Sequence, residues 1–235
     1  MVTDRDKMES YWNSAGASPR ANWHIIHIDD EEEFFASGPR DVQKVFDNRA
    51  DEIAPGSLIL DVGCGKGRIA RALAEMRPDV RIWGVDVAPS MIKGAMAANA
   101  HLINLSFCIG DGVSFSIFPD DTFDYVYSYI VFQHLPRHIA AQNIAEAARV
   151  LKPGGKLIFQ VQRQGVPMEV DPPWNDFRKI RYYTEKQAVA LIAPPLKLLR
   201  TRSRAHRAAD LREGTDHDFF VEAVKLGAAE SQPDG

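Results

Sequence analysis

"LILDVGCGKGRIARAL", residues 58–73, has the pattern of a buried strand, a glycine-rich turn and the start of an amphipathic helix. Glycines let a ligand approach the backbone closely, and the first turn of a helix presents N–H groups without a partner inside the helix. The combination therefore predicts a site for a nucleotide-like ligand. Several cofactors bind to such a turn, so the neighbouring residues must decide between them.

Length and composition limit the class of protein. The chain has 235 residues, 45% of them hydrophobic, which is enough for one sizeable core. Its net charge of -4 gives no positive field for a phosphate backbone, so nucleic acid is not an expected partner. Cys64 and Cys108 form no metal-ligand spacing, and no metal is expected. The first ten residues are charged and no apolar run is long enough to span a membrane, so we expect a cytoplasmic protein of unspecified oligomeric state.

Short apolar runs alternate with segments of helical period from Ser57 onwards. This alternation predicts an α/β fold with a parallel sheet and helices on both faces. Near the end, "LKLLRTRSRA" and "HDFFVEAVKL" predict two closing strands, and Thr184 predicts a helix start before them. The basic residues of the first run fit the polar face of an alternating strand better than a nucleic-acid surface. We expect a helical lid or substrate segment at residues 1–50, the main domain at 51–235 and a substrate-binding insertion at 162–183.

The glycine spacing argues against a nicotinamide dinucleotide. The fingerprint for that cofactor is G-x-G-x-x-G, whereas here Gly63, Gly65 and Gly67 alternate and Arg68 stands at the third fingerprint position. Asp61 lies two places before the first glycine. Its carboxylate would repel a pyrophosphate but would accept hydrogen bonds from an ammonium group. The ligand should therefore carry a cation near the turn.

Two further carboxylates follow the next two predicted strands. Asp86 ends "IWGVD", close to the distance expected for an acid that binds both ribose hydroxyls. Asp111, in "GDG", follows "LSFCI" and can accept from the exocyclic amine of adenine. Each alone would be an ordinary strand-end or turn aspartate. Ammonium, ribose and adenine in this order describe S-adenosylmethionine.

At these residues the chain resembles the class I S-adenosylmethionine-dependent methyltransferases. "LDVGCGKG" resembles their first motif, "VDVAPSMI" the second, "GDG" the adenine motif, "FDYVYSYIVFQHL" the strand beneath the methyl group and "LKPGGKLIF" the next helix-strand corner. The resemblance implies a doubly wound, Rossmann-like sheet of seven strands, mostly parallel with an antiparallel last strand. It also implies S-adenosylmethionine as cofactor and S-adenosylhomocysteine as product.

The resemblance further implies which residues bind the cofactor. Asp61 would bind the methionyl ammonium, Asp86 the ribose and Asp111 the adenine. Met91 would pack on the adenosyl group, although a methionine on a helix can instead be an ordinary core residue. The other implied cofactor-binding residues are Gly63, Gly65, Val87, Met91, Gly112, Tyr129 and Ile130.

Methyl transfer from a sulfonium depends mainly on alignment, and a base is needed only if the acceptor must lose a proton. His134 follows the fourth strand and titrates near neutrality, so it is the candidate catalytic base. The alternative is a structural histidine, because "QHLPRH" also starts a helix. Residues 128–131 read "SYIV" and lack the Asn/Asp-Pro-Pro-Tyr/Phe signature of the family's nucleobase and glutamine N-methyltransferases. We therefore expect an O- or N-nucleophile of a small molecule: a metabolite, sugar, lipid or natural product.

Recognition of the acceptor is expected from segments outside the motifs. An aromatic lid there would exclude water and complete the pocket. Alternatively, each aromatic side chain only anchors a helix against the sheet. The candidate substrate residues are Tyr11, Trp12, Trp23, Trp174 and Tyr182.

Other functions remain open at this point. No single residue is obligatory for methyl transfer, so a non-catalytic S-adenosylmethionine-binding module or a partner subunit is the main alternative. An NAD-dependent oxidoreductase is disfavoured by the glycine spacing. Aminopropyl transfer from a decarboxylated cofactor is a further enzymatic alternative.

Overall fold

Residues 3–164, 180–205 and 215–227 are described by the computed structural model. The chain divides into two units, residues 1–117 and 118–235. The expected N-terminal segment, residues 1–50, thus belongs to the same unit as the first strands.

Four short helices open the first unit. They are α1 (Asp4–Ala17), α2 (Ala21–Ile26), α3 (Glu31–Ala36) and α4 (Gly38–Val45), followed by a 3₁₀ turn at Ala50–Glu52. The side chain of Asp30 accepts from the N–H of Glu33 at 2.7 Å and so caps α3. Acidic side chains are favoured at a helix N-terminus, which explains why the acidic run at residues 29–33 begins a helix.

Three parallel strands form the sheet of the first unit, in the order β3-β2-β1. Asp61 lies opposite Gly84 and Asp86 lies opposite Ile109 in the strand register. The carboxyl ends of parallel strands share one edge of a sheet, where α/β folds bind their ligands. The elements are β1 (Leu58–Val62), α5 (Arg68–Met76), β2 (Arg81–Asp86), α6 (Pro89–Ala98) and β3 (Leu105–Ile109).

A buried ion pair fastens the N-terminal segment to α5. Nη1 of Arg68 lies 2.7 Å from Oδ2 of Asp41, with side-chain exposures of 5% and 3%. Burial acts to raise the pKa of Asp41, but the charges of Arg68 and Lys44 outweigh it and lower that pKa. Lys66 adds a second ion pair to Glu31 at 3.0 Å. α3 and α4 are therefore anchors rather than free parts of a lid.

The second unit holds the remaining strands, in the order β4-β5-β8-β7, with β6 beside β5. β8 is antiparallel to both β5 and β7, as the resemblance implies. The described residues form one strand more than the expected seven, and the additional strand is the two-residue β6. The elements are β4 (Phe123–Ser128), a 3₁₀ turn (Phe132–His134), α7 (Arg137–Val150), β5 (Leu151–Gln164), β6 (Tyr182–Tyr183), α8 (Glu185–Val189), β7 (Leu196–Ala205) and β8 (Thr215–Lys225).

α7 ends at Val150, and the "KPGG" sequence at residues 152–155 lies inside β5. Leu151 pairs with Phe123, and the next pair is Lys156 with Tyr125. Residues 152–155 of β5 thus lie opposite the single residue Asp124 of β4 and form a bulge, in which Gly154 has a φ of 81°.

The expected insertion at residues 162–183 begins inside a strand. β5 continues to Gln164, and Gln162 and Arg163 pair in parallel with Tyr182 and Tyr183. The two ends of the segment are thus tied together, and residues 165–179 lie outside the described residues.

The two closing strands and the helix before them match the prediction. Thr184 caps α8 with Gln187 in a capping box. Arg200 and Arg202 of β7 both bind the buried carboxylate of Glu222 on β8. These arginines serve strand pairing, as expected for the polar face of an alternating strand.

Candidate active site

The glycine turn after β1 is held against the end of β2. The N–H groups of Gly63 and Cys64 both donate to the carbonyl oxygen of Val85, at 2.8 and 3.1 Å. Gly63, Gly65 and Gly67 have φ values of 73°, 54° and 78°, in the region that favours glycine. The chain can therefore curl tightly with no side chain between its backbone and a ligand.

Asp86 ties this turn to the end of β2. Its Oδ2 accepts from the N–H of Gly65 and its Oδ1 from the N–H of Ala88, each at 2.9 Å. Burial raises the pKa of Asp86, and the N–H donors of Ala88, Gly65 and Val87 oppose that rise only in part. Each carboxylate oxygen can accept more than one hydrogen bond, so both remain able to bind ribose hydroxyls. The sequence predicts Asp86 as a ribose-binding residue, and sequence reasoning missed this structural role.

Asp61 is buried in β1, near the thiol of Cys64. Burial raises the pKa of Cys64 well above its ordinary value, and the negative charges of Asp86 and Asp61 raise it further. The thiol therefore stays neutral beside two carboxylates. Such a setting suits a ligand that brings an ammonium group to the turn.

Asp111 shapes the turn that follows β3. Its carboxylate accepts from the N–H groups of Val113 and Ser114 and from the hydroxyl of Ser114. Burial acts to raise its pKa, but these donors and the charge of Arg5 outweigh it and lower the pKa. Asp111 is thus an ionised acceptor at the same edge of the sheet as Asp61 and Asp86.

α1 lies along this edge and covers several of the predicted cofactor residues. A side chain at Gly112 would overlap the terminal methyl of Met8, and its Cβ would lie 3.0 Å from Cγ2 of Val87. A Cβ at Gly16 would lie 2.9 Å from Cγ of Met91. Close contact between α1 and the predicted adenosyl-binding residues therefore depends on glycine at both positions.

Asn13 and Ser90 link α1 to the first turn of α6. Oδ1 of Asn13 accepts from the N–H of Ser90 at 2.9 Å, and the hydroxyl of Ser90 donates to the carbonyl of Asn13 at 2.7 Å. A side chain from outside α6 thus occupies the position of a helix cap. Beside this link, Trp12 and Ile25 pack against a buried cluster of Ala15, Ala88 and Met91.

The predicted substrate residues of the first unit lie on α1 and α2. Tyr11 contacts Trp12 edge to face at 5.0 Å between ring centroids. Trp23 is 36% exposed, and the guanidinium of Arg20 lies 4.6 Å from its ring centroid. Trp12 packs against the buried cluster described above, whereas part of the Trp23 ring is exposed and accessible to a ligand.

The remaining predicted substrate residues belong to the second half of the chain. The carbonyl of Tyr182 accepts from Nη2 of Arg137 at 2.8 Å, and that guanidinium lies 4.3 Å from the ring centroid of Tyr183. This fastens β6 to the start of α7. Trp174 lies outside the described residues.

The turn after β4 has an unusual backbone. Ile130 has a φ of 61°, which is rare for a β-branched residue, and its N–H donates to Oε1 of Gln160 at 3.0 Å. The hydroxyl of Tyr129 donates to Oδ2 of Asp218 at 3.1 Å, and its ring is stacked on Phe220. The side chain of Tyr129 is therefore used inside the second unit.

His134 closes the 3₁₀ turn that follows. Its Nε2 lies 3.3 Å from Nε2 of Gln133, and its carbonyl accepts from Nη1 of Arg181 at 2.9 Å. The N–H of Arg181 also donates to the carbonyl of Gln133 at 2.7 Å. The buried Arg181 thus fixes the backbone of the turn that carries the candidate base.

Sequence reasoning missed the buried polar groups that support this turn. Gln160 and Gln162 of β5 both donate to Oδ1 of Asp218, at 3.0 and 3.2 Å. The signal was present in "FQVQ", since glutamines are uncommon inside a buried strand unless they are hydrogen-bonded.

Comparison with known proteins agrees with this geometry. Residues 59–155 match the family described as a methyltransferase domain. The chain is 35% identical to the 2-methyl-6-phytyl-1,4-hydroquinone methyltransferase of Synechocystis over 108 residues, 46% of this chain and 33% of that protein. It is 28% identical to the ubiquinone/menaquinone biosynthesis C-methyltransferase UbiE of Bordetella avium over 161 residues, 66% of this chain and 61% of that protein. The chain thus spans less than two thirds of either relative.

The fold is similar to that of a solved methyltransferase. The crystal structure of magnesium protoporphyrin IX methyltransferase from Synechocystis with bound S-adenosylmethionine matches with a TM-score of 0.67 and 19% identity, over 96% of this chain and 98% of that one. The fold is that of the class I S-adenosylmethionine-dependent methyltransferases. Residues 59–155 thus match the methyltransferase domain family, which confirms the resemblance that the motifs of this stretch carry. S-adenosylmethionine, the cofactor predicted from the sequence, is the cofactor of this class.

Among the described residues, no helix has the length and apolar character needed to cross a membrane.

Proposed function

We propose that this protein transfers a methyl group from S-adenosylmethionine to a small-molecule acceptor. One observation carries the proposal: Asp61, Asp86 and Asp111 stand at one edge of three adjacent parallel strands, beside an open glycine turn. Their order matches the ammonium, ribose and adenine of that cofactor.

The carboxylate acceptors of the first unit fit the cofactor. Asp86 and Asp111 hold their own turns through backbone N–H groups, so their carboxylates are oriented before any ligand arrives. An oriented acceptor loses less freedom on binding, which favours affinity. When bound, S-adenosylmethionine supplies an electrophilic methyl group on a positively charged sulfur, and the chain orients and shields it.

Val87, Met91 and Gly112 support an apolar wall for the adenosyl group. Val87 and Met91 are buried, and Gly112 leaves room at the end of β3 that Met8 of α1 enters. In this proposal α1 and α2 form the lid, while α3 and α4 hold it to α5. The lid is thus narrower than the whole segment 1–50.

The acceptor in this proposal is a small organic molecule with an O- or N-nucleophile. The exposed ring of Trp23 is the aromatic surface on the lid that supports acceptor binding. Relatives named for hydroquinone and quinone substrates support a small molecule as the class of acceptor, and the second, named a C-methyltransferase, keeps carbon as an alternative attacking atom. Analysis of the methylated product distinguishes O-, N- and C-methylation.

His134 is proposed as the base for an acceptor that must lose a proton. An imidazole can take up a proton as a general base, and the backbone of His134 is fixed by Arg181. Tyr129 and Ile130 stay proposed cofactor contacts through their backbone.

Two experiments test the proposed function in sequence. Calorimetric titration with S-adenosylhomocysteine and with NAD should give binding of the first and far weaker binding of the second. A transfer screen with tritiated S-adenosylmethionine against metabolite pools, read by product mass, then identifies the acceptor. Tight NAD binding with no response to S-adenosylhomocysteine would end the methyltransferase proposal. Cofactor binding with no transfer to any acceptor would favour the non-catalytic binding module.

A further inference from the structure

A chain of hydrogen bonds leads from the turn after β4 to the ring of His134. It starts at the N–H of Ile130 and passes through the side chains of Gln160 and Gln133. Both glutamines are buried, with exposures of 0% and 4%. Buried amides in contact have few ways to satisfy their donors and acceptors together, so each orientation constrains the next.

The first orientation is set by the backbone. The N–H of Ile130 can only donate, so the group that faces it at 3.0 Å must be the carbonyl oxygen of Gln160. The amide nitrogen of Gln160 then points the other way. It donates to Oδ1 of Asp218 at 3.0 Å, a carboxylate that can only accept when ionised. Two independent partners thus fix the same orientation of Gln160.

The second orientation follows from the first. The same amide nitrogen of Gln160 lies 3.2 Å from Oε1 of Gln133, so this oxygen accepts. The amide nitrogen of Gln133 must then face Nε2 of His134, at 3.3 Å. An amide nitrogen is only a donor, so this contact favours a ring in which Nε2 accepts and the buried Nδ1 carries the proton of the neutral form.

We propose that Gln160 and Gln133 are positioning residues that fix the tautomer of His134, with the lone pair on Nε2 and the proton on Nδ1. The N–H of Ile130 and the carboxylate of Asp218 orient the amide of Gln160, and this orientation sets the direction of the hydrogen bonds that lead to His134. Which ring nitrogen is basic is therefore decided by Ile130 and Asp218, each of which is connected to the ring through three successive hydrogen bonds.

The importance of this tautomer for the reaction rests on the proposed function. If His134 acts as the base, Nε2 is the nitrogen that takes the proton, and the acceptor replaces the amide of Gln133 as its partner. The tautomer itself is a property of the folded chain and is measured without turnover. A wrong proposal for the methyl acceptor therefore leaves this measurement valid.

The test is ¹⁵N NMR of the full chain labelled at histidine, at alkaline pH where imidazoles are neutral. Protonated and unprotonated ring nitrogens have well-separated shifts, and His134→Gln assigns the signals of this residue. The wild type should have an unprotonated Nε2 and a protonated Nδ1. Gln133→Glu should reverse this pattern, because its carboxylate still accepts from Gln160 but now also accepts from the ring. Gln133→Met should give a mixture of both tautomers.

Gln162→Met is the matched control. Gln162 lies on the same strand and donates to the same oxygen of Asp218, but it is outside the bonds that lead to His134. Its replacement should leave the tautomer of His134 unchanged, whereas Gln160→Met should give a mixture of both tautomers. Far-ultraviolet circular dichroism and thermal unfolding confirm that each variant is folded. A wild-type ring protonated on Nε2, or a Gln133→Glu spectrum identical to wild type, would overturn the proposal.

Activity provides an independent reading once an acceptor is known. Gln160→Met should lower kcat by about tenfold, since a base in the wrong tautomer transfers protons poorly, while KM for S-adenosylmethionine changes little. Loss of cofactor affinity alone would indicate a merely structural role for Gln160.

Discussion

The N–H of Gly65 donates to Oδ2 of Asp86 at 2.9 Å, so the carboxylate that ends β2 also closes the turn that follows β1. Two motifs that stand 21 residues apart in the sequence are thereby one structural unit. Changes at Asp86 should therefore affect the shape of the glycine turn together with ribose binding.

Asp86→Ala should weaken the binding of S-adenosylhomocysteine by about 2 kcal/mol or more, roughly 30-fold, because the ribose loses a charged acceptor and the turn loses its tie. Asp111→Ala is the comparison and should cost less, since the bonds of that carboxylate stay within its own turn. Calorimetry on both variants measures the difference. Unchanged affinity in Asp86→Ala would mean that the ribose binds elsewhere.

Asn13→Ala should speed the release of S-adenosylhomocysteine about fivefold. The substitution removes the acceptor that caps Ser90, a loss of about 1 kcal/mol, and frees α1 from the cofactor edge. Stopped-flow fluorescence of the tryptophans follows the release. Asp30→Ala removes an equivalent cap from α3 and should leave the rate unchanged. Equal effects of the two substitutions would argue against α1 as the lid.

Asp41→Ala should destabilise the fold by about 3–5 kcal/mol, because it leaves the guanidinium of Arg68 buried without its carboxylate. The pKa of Asp41 is lowered in the folded state, so the stability it contributes is present above its ordinary value of 3.8 and is lost as pH falls through the lowered pKa. Urea unfolding should therefore give a difference from wild type that is largest near neutrality and shrinks in acid.

Asp79→Ala is the matched control for that ion pair. Asp79 also binds an arginine, Arg77 at 2.6 Å, but it lies at the surface, where an ion pair adds little. Asp79→Ala should therefore lower the free energy of unfolding much less than Asp41→Ala does. Comparable losses would show that burial of the Arg68 pair is not what stabilises α4 on α5.

His134→Ala should lower the transfer rate by roughly 100-fold or more with nearly unchanged cofactor affinity, if the acceptor is a hydroxyl. The loss should shrink at high pH, where the acceptor ionises without help. A pH–rate profile of both proteins measures this. Normal turnover across the pH range would assign His134 to a structural role and would identify the acceptor as already nucleophilic.

The local parts of the fold and site were predictable, and the distant contacts were not. The glycine turn, Asp86 and Asp111 are signalled by a few neighbouring residues, because strand ends and turns have local sequence patterns. The contact of Met8 with Gly112 and the bond of Gln160 to Asp218 join residues far apart in the chain. Such contacts depend on how helices and antiparallel strands pack, which no single stretch of sequence encodes.

The neutral thiol of Cys64 has a consequence for life under oxidative stress. Oxidants and alkylating agents react with thiolates, and burial of Cys64, together with the carboxylates beside it, raises the pKa of the thiol and suppresses that form. A cysteine in the cofactor turn would otherwise be a point at which peroxide could switch the protein off. Here the same charges that suit a cationic cofactor also protect the turn chemically, so cofactor binding should persist in a cell whose exposed thiols are being oxidised.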